Sequence, residues 1–408
     1  MKRVTIAMIM ATICLSACSL GSGKAQVAKT ASASTPTPRG TQTSDGPARL
    51  LAIQRLNATV GYVAGWNDAG GGLAKTTDNG VTWQRLTDPA TSIVAVRFID
   101  ERVGWVAGFQ PRDVPQIACH QAAPQGSQPC RGLVLRTEDG GRSWRVVLAI
   151  PTNGVMGDDV MRQIQAVDGS SAWALVVDES NASTCQPDCP TELRRTVDAG
   201  KTWTSVLHGR IAGMRFASAN RGWAALNPTG GSGPVEVRET SDGGLTWKTV
   251  LQTATGEAIA LDAATVDTAW LLTRDGAYCS SSSCSRYALF RTDNGGSTWL
   301  TLGNPKDFAK NCSEGQLAGP LFASVSRGWF GLNHGAGGAN IGGGILQSED
   351  GGWTWRCATS PPMVTLVSAA DPQRVWAAGE DNPGEATSLY STEDGGKTWQ
   401  RHDLSAIQ

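Results

Sequence analysis

The chain has 408 residues, of which 35 are Lys or Arg and 36 are Asp or Glu, for a formal net charge of −1 at pH 7. That balance gives no basic face for nucleic acid, and no DNA- or RNA-binding motif is present. Four scattered histidines (His120, His208, His334, His402) and the absence of GxSxG or HExxH patterns give no motif-level support for triad or metal hydrolysis, and no metal or other cofactor is expected.

The chain opens with a basic Met1-Lys2-Arg3, a mostly apolar run from Val4 to Leu15, and Leu15-Ser16-Ala17-Cys18. The run falls short of the roughly 20 residues that span a bilayer, so residues 1–18 read as an export signal. The last four residues resemble a bacterial lipobox. That resemblance makes Cys18 the lipidated N-terminus, anchored to the membrane of the cell envelope on its outer, extracytoplasmic side. Residues 19–47 are rich in Ser, Thr, Ala, Gly, Lys and Pro, a composition that cannot build a core and reads as a flexible tether.

From residue 48 to 408 one pattern recurs. TTDNGVTW, TEDGGRSW, TVDAGKTW, TSDGGLTW, TDNGGSTW, SEDGGWTW and TEDGGKTW end at Trp83, Trp144, Trp203, Trp247, Trp299, Trp355 and Trp399. Each reads as a turn followed by a strand: the acid accepts backbone N–H groups, the Gly permits positive φ, and the Trp supplies apolar surface to wedge between sheets. The acidic position is held by Asp78, Asp139, Asp198, Asp242, Asn294, Asp350 and Asp394, and Asn294 can make the same turn bond. A short apolar strand precedes each string and carries Tyr62, Trp105, Trp173, Trp223, Trp270, Trp329 or Trp376, and a further strand precedes that one. Four strand candidates per unit, repeated seven times at a spacing of 44 to 61 residues, predict an all-β fold: a seven-bladed β-propeller of four-stranded antiparallel blades.

The string resembles the Asp-box, or BNR repeat, of sialidase-like propellers. Together with the aromatic strand before it, it is most similar to the photosystem II assembly and stability factor group, over about Leu50 to Leu404. The resemblance implies a box joining the third and fourth strands of each blade, and assistance to a membrane protein complex. Sialidases also need an arginine cluster and an activated Tyr, and none of Tyr62, Tyr278, Tyr287 and Tyr390 has that context.

Eight cysteines follow the signal. Their spacing makes Cys119 to Cys130, Cys185 to Cys189, Cys279 to Cys284, and Cys312 to Cys357 the natural disulfides, although eight cysteines allow 105 pairings. The first three pairs lie in long insertions between strands two and three, which predicts one decorated face opposite the boxes. Residues 110–131, 179–191 and 275–286 are the expected partner surface. A second candidate site is a set of arginines on the channel-lining first strands: Arg97 and Arg215 stand eight residues before Trp105 and Trp223, Arg55 matches them if repeat one has a turn one residue shorter, and Gln165 holds the slot in repeat three. Such a set suits a carboxylate, a phosphate or an acidic protein segment. The plainer alternative is local pairing with a turn carboxylate such as Asp100. The sequence is read as a lipid-anchored, non-enzymatic binding or assembly scaffold with a protein partner; the alternative is a carbohydrate-active glycoside hydrolase of sialidase-like fold.

Overall fold

The computed structural model describes residues 49–67, 70–86, 92–111, 130–151, 161–178, 190–228, 233–275, 286–308, 316–333, 344–358, 361, 363–381, 386–402 and 404. They form seven four-stranded antiparallel sheets, each a meander of consecutive strands, with one short 3₁₀ turn at Pro305–Phe308. The first strands are Arg49–Arg55, Ser92–Phe98, Met161–Ala166, Ile211–Phe216, Glu257–Ala263, Gln316–Phe322 and Val364–Ala369. Neighbouring first strands contact one another around the ring, including blade 7 against blade 1, so they line the axial channel. The seven-bladed expectation is met blade for blade.

Each box closes in the same way. In blade 4 the Thr240 hydroxyl donates to Asp242 Oδ1 at 2.8 Å, and the Thr246 amide and hydroxyl donate to the two carboxylate oxygens at 2.9 and 2.6 Å. Gly244, at φ +103°, turns its N–H onto the Thr240 hydroxyl, a conformation a side chain would resist. Asn294 reproduces the arrangement: its Oδ1 accepts the Thr298 amide at 2.9 Å and its Nδ2 donates to the Thr298 hydroxyl at 2.8 Å. One box amide in every blade also donates to the turn between that blade's first and second strands, as in Gly140 to Arg102 O at 2.8 Å and Gly243 to Asn220 O at 2.7 Å. Boxes and first turns therefore share one face of the ring. The connections between strands two and three leave from the other.

The core lies between blades and has an alternating plan. The last core residue of the first strand is Phe98, Phe216 or Phe322 in blades 2, 4 and 6, and Ala166, Ala263 or Ala369 in blades 3, 5 and 7. Each Phe stacks on the second-strand aromatic of the preceding blade: Tyr62 on Phe98 at 3.6 Å, Trp173 on Phe216 at 3.7 Å, Trp270 on Phe322 at 3.6 Å between centroids. The box Trp of the same blade meets the Phe edge-on at 6.0 to 6.2 Å. Where Ala replaces Phe, the two tryptophans approach directly, as with Trp105 and Trp203 at 6.3 Å.

Residues 1–48, which hold the expected signal, Cys18 and the whole of the expected tether, lie outside the described residues. So do Cys119, Cys185, Cys189, Cys279, Cys284 and Cys312, and most of the expected partner surface. Cys130 begins a third strand, and Cys357 is disulfide-bonded. Among the described residues, no helix is long and apolar enough to cross a membrane.

Candidate functional site

The channel-lining slot is fixed by register. Opposite the second-strand aromatics stand Gln54, Arg97, Gln165, Arg215, Asp262, Leu321 and Ser368. Arg97, Gln165 and Arg215 fall where the sequence puts them. Arg55 does not: it pairs with Gly61, one residue past the slot, and Gln54 faces Tyr62. Adjacent strand residues point to opposite faces of a sheet, so this single step sends Arg55 away from the others.

Its destination is the junction between blades 7 and 1. The side chain is fully buried, and Nη1 donates to Thr392 O at 2.8 Å and Val375 O at 3.4 Å. Nη2 donates to Ala58 O at 3.2 Å and pairs with Glu393. Burial pulls the Arg55 pKa down, and Glu393 pushes back. Arg55 is a closing bolt for the ring, and the expectation that it belongs to an anion-binding set is corrected.

The slot residues mostly reach across to the next blade. Gln54 brackets Phe98, accepting its N–H at 2.6 Å and donating to its carbonyl at 2.8 Å; Gln165 treats Phe216 alike, at 2.8 Å each way. Asp262 accepts the Phe322 N–H at 2.6 Å, and Ser368 Oγ accepts the Arg55 N–H at 2.9 Å. These polar side chains close exposed backbone groups at the inner edges of the blades, which burial would otherwise leave unpaired. That structural task was invisible in the sequence because each partner sits in another repeat, 44 to 60 residues away for Gln54, Gln165 and Asp262.

Two charges remain between structure and function. Arg215 Nε lies 2.9 Å from Asp262 Oδ1, an ion pair between blades 4 and 5 in place of the expected local turn carboxylate. Asp100 is occupied by the amides of Arg102 and Val103, each at 2.7 Å. Burial pushes the Asp262 carboxyl up, and Arg215 opposes that shift most strongly. Arg97 donates through Nε to Ala166 O at 3.3 Å, and among the described residues no other hydrogen bond or ion pair holds its guanidinium. Its pKa is pulled down to about 10, chiefly by burial and then by repulsion from Arg215, with Asp262 acting the other way. Arg97 therefore remains cationic at neutral pH. It shares the field of Arg215 and Asp262 from across the channel, and the three together carry one net positive charge. Among the described residues, no group of three or more His, Cys, Asp or Glu side chains is placed to hold a metal ion.

No protein-family model matches the sequence, and no curated protein matches it significantly. Solved structures match by fold. YCF48 bound to a D1 peptide superposes with a TM-score of 0.54 at 19% identity, over 85% of this chain and 94% of that one. The acylaminoacyl peptidase of Pyrococcus horikoshii gives 0.55 at 9% identity over 87% of this chain and 52% of its own. An ancestral GH74 enzyme gives 0.50 at 13% identity, over 88% and 46%. At such identities the likeness is one of architecture, and it supplies a structural counterpart to the Asp-box resemblance read from sequence.

Proposed function

We propose that this chain is an exported, lipid-anchored propeller of the cell envelope that binds an acidic segment of a protein partner at the box-face end of its channel. The observation that carries the reading is Arg97: a cationic side chain on a channel-lining strand, engaged among the described residues only through Nε, while Arg215 is paired with Asp262. A free guanidinium fork in a partly desolvated setting suits a carboxylate. The propeller that matches over nearly its whole length was solved with a peptide bound, which agrees with peptide binding here. The anchor rests on the Leu15 to Cys18 string.

Two variants test the two halves. Cys18→Ser should move the protein from the membrane to the soluble fraction; full retention after a high-salt wash sinks the anchor. Arg97→Ala, in the lipidated protein purified from its native membrane, should lower partner recovery by about 10-fold or more, the worth of one charge-assisted bond, while the thermal midpoint stays put. Unchanged recovery moves the binding site off the channel.

A further inference from the structure

Blade 3 carries a second polar cluster, far out on the sheet from the channel. Ala174 and Val176 pack against Phe109, Val134 and Ile150 of blade 2, and they stand opposite Arg194 and Glu192 on the third strand. Glu192 in turn stands opposite His208, and Arg194 opposite Ser205, on the outer strand Thr204–Gly209. All four side chains therefore occupy the face turned toward blade 2.

Ser205 and His208 reach that common face because the strand is irregular. Two residues three apart on a regular strand point to opposite sides. Here Leu193 pairs with Leu207 and Arg194 with Ser205, so Val206 is an extra residue in a β-bulge, and the alternation resets between them. The result is a Ser205 Oγ to His208 Nε2 distance of 2.9 Å. On the ring's other side, His208 Nδ1 lies 3.5 Å from Asp178 Oδ2, and Asp178 is held in place by its own N–H to Pro190 O at 2.9 Å. Ser205 is exposed, the His208 side chain is 60% exposed, and the Asp178 side chain is 18% exposed, so the hydroxyl faces solvent and the carboxylate sits behind.

We propose that Ser205, His208 and Asp178 form a nucleophilic relay that accepts acyl groups from small esters. Asp178 favours the tautomer with the proton on Nδ1, which leaves Nε2 as a base against the Ser205 hydroxyl. As Ser205 Oγ bonds to the ester carbonyl carbon, its proton passes to Nε2. The tetrahedral oxyanion forms beside Arg194, whose Cβ stands about 5 Å from that of Ser205 across the strand pair, while Glu192 steadies the Arg194 fork at 2.9 Å. The carbon–oxygen bond to the alcohol breaks, and the alcohol leaves with the proton from Nε2. Water then gives a proton to Nε2, attacks the acyl carbon and releases the carboxylic acid, and Ser205 regains its proton. The strand is the outermost of its blade, with Ser205 and His208 exposed on it, and the acyl groups proposed are short ones such as acetyl.

The test uses the mature chain with a fluorophosphonate probe and with p-nitrophenyl acetate. The expected result is a phosphonyl adduct on the peptide containing Ser205 and ester turnover with an acyl-Ser205 intermediate. Ser205→Ala should abolish the adduct, and His208→Gln should slow both reactions by about 100-fold or more, with melting temperatures unchanged because both side chains are exposed. Asp178→Asn should lower kcat and leave KM in place. Arg97→Ala should label like the wild type, which separates this proposal from the channel reading. An unlabelled Ser205, or ester turnover equal in Ser205→Ala, reduces the cluster to an exposed hydroxyl hydrogen bond; equal labelling in His208→Gln removes the relay.

Discussion

At the scale of single residues, the box carboxylates stabilise the fold in a way that depends on pH. The Thr82 hydroxyl and amide hold Asp78 down at about 2, and the Thr202 amide and hydroxyl do the same for Asp198. Asp139, Asp242 and Asp394 are held well below the usual carboxylate range, first by the hydroxyls of Ser143, Thr246 and Thr398. A carboxylate with a folded pKa below its unfolded value of about 4 stabilises the fold fully above pH 4, and that stabilisation is lost as pH falls through the folded value. The denaturant midpoint should therefore drop between pH 4 and pH 2, and Asp198→Asn should flatten the fall, since Asn294 makes the same turn bonds without a titratable group. The second residue-scale prediction concerns Trp173, which is fully buried, stacked on Phe216 and bonded through Nε1 to Gly243 O at 2.9 Å. Trp173→Ala should cost about 3–5 kcal/mol in urea unfolding.

The recurrent tryptophans and acids were legible because each does the same local job in every repeat. Arg55 was misread because the turn between the first two strands had to be guessed, and an error of one residue there turns a side chain to the other face of the sheet. Asp262 escaped notice since its partners, Arg215 and Phe322, belong to the blades on either side. The bulge that joins Ser205 to His208 was not legible either, because it is defined by the pairing of Leu193 with Leu207 and of Arg194 with Ser205, which only the register reveals.

Elements show a coupling that no single repeat reveals. The Phe of blades 2, 4 and 6 occurs with Gly104, Gly222 and Gly328 before the second-strand Trp, and the Ala of blades 3, 5 and 7 occurs with Ala172, Ala269 and Val375. The cause is steric: a Cβ on Gly222 would sit 2.4 Å from Phe216 Cδ1. Gly222→Ala should thus destabilise by about 1–3 kcal/mol through overpacking. In a Phe216→Ala background the same change should cost much less, since it recreates the pairing of blades 3 and 5. A double-mutant cycle on urea midpoints reads the coupling directly, and additive costs would show that the two positions do not share the space.

For the whole molecule, closure depends on side chains. Blade 7 supplies its own outer strand, Gln400–His402, and among the described residues no strand is exchanged with blade 1. The junction is held by Arg55, by Trp376 Nε1 donating to Asn79 Oδ1 at 3.1 Å, by Asn79 Nδ2 donating to Glu393 at 2.9 Å, and by His402 Nδ1 at 3.1 Å from Gly80 O. Arg55→Gln removes charge-assisted bonds to three carbonyls and a carboxylate. It should lower stability by about 3 kcal/mol, against little change for Arg97→Ala, with thermal melts distinguishing the two.

A ring made of two alternating kinds of blade can close without a fault only if its membership is even. Seven is odd, so two alternating kinds cannot run all the way round, and one blade must break the pattern and leave an irregular seam. It falls where the first blade, with an arginine in the position that others fill with phenylalanine or alanine, meets the last. The buried guanidinium is thus the local answer to a global counting problem, and the seam coincides with the two ends of the propeller. Opening of the ring should begin there, so amides flanking the blade 7 to blade 1 junction, such as Leu50 and Arg55, should exchange with deuterium sooner than their counterparts Ile211 and Phe216 at the blade 3 to blade 4 junction.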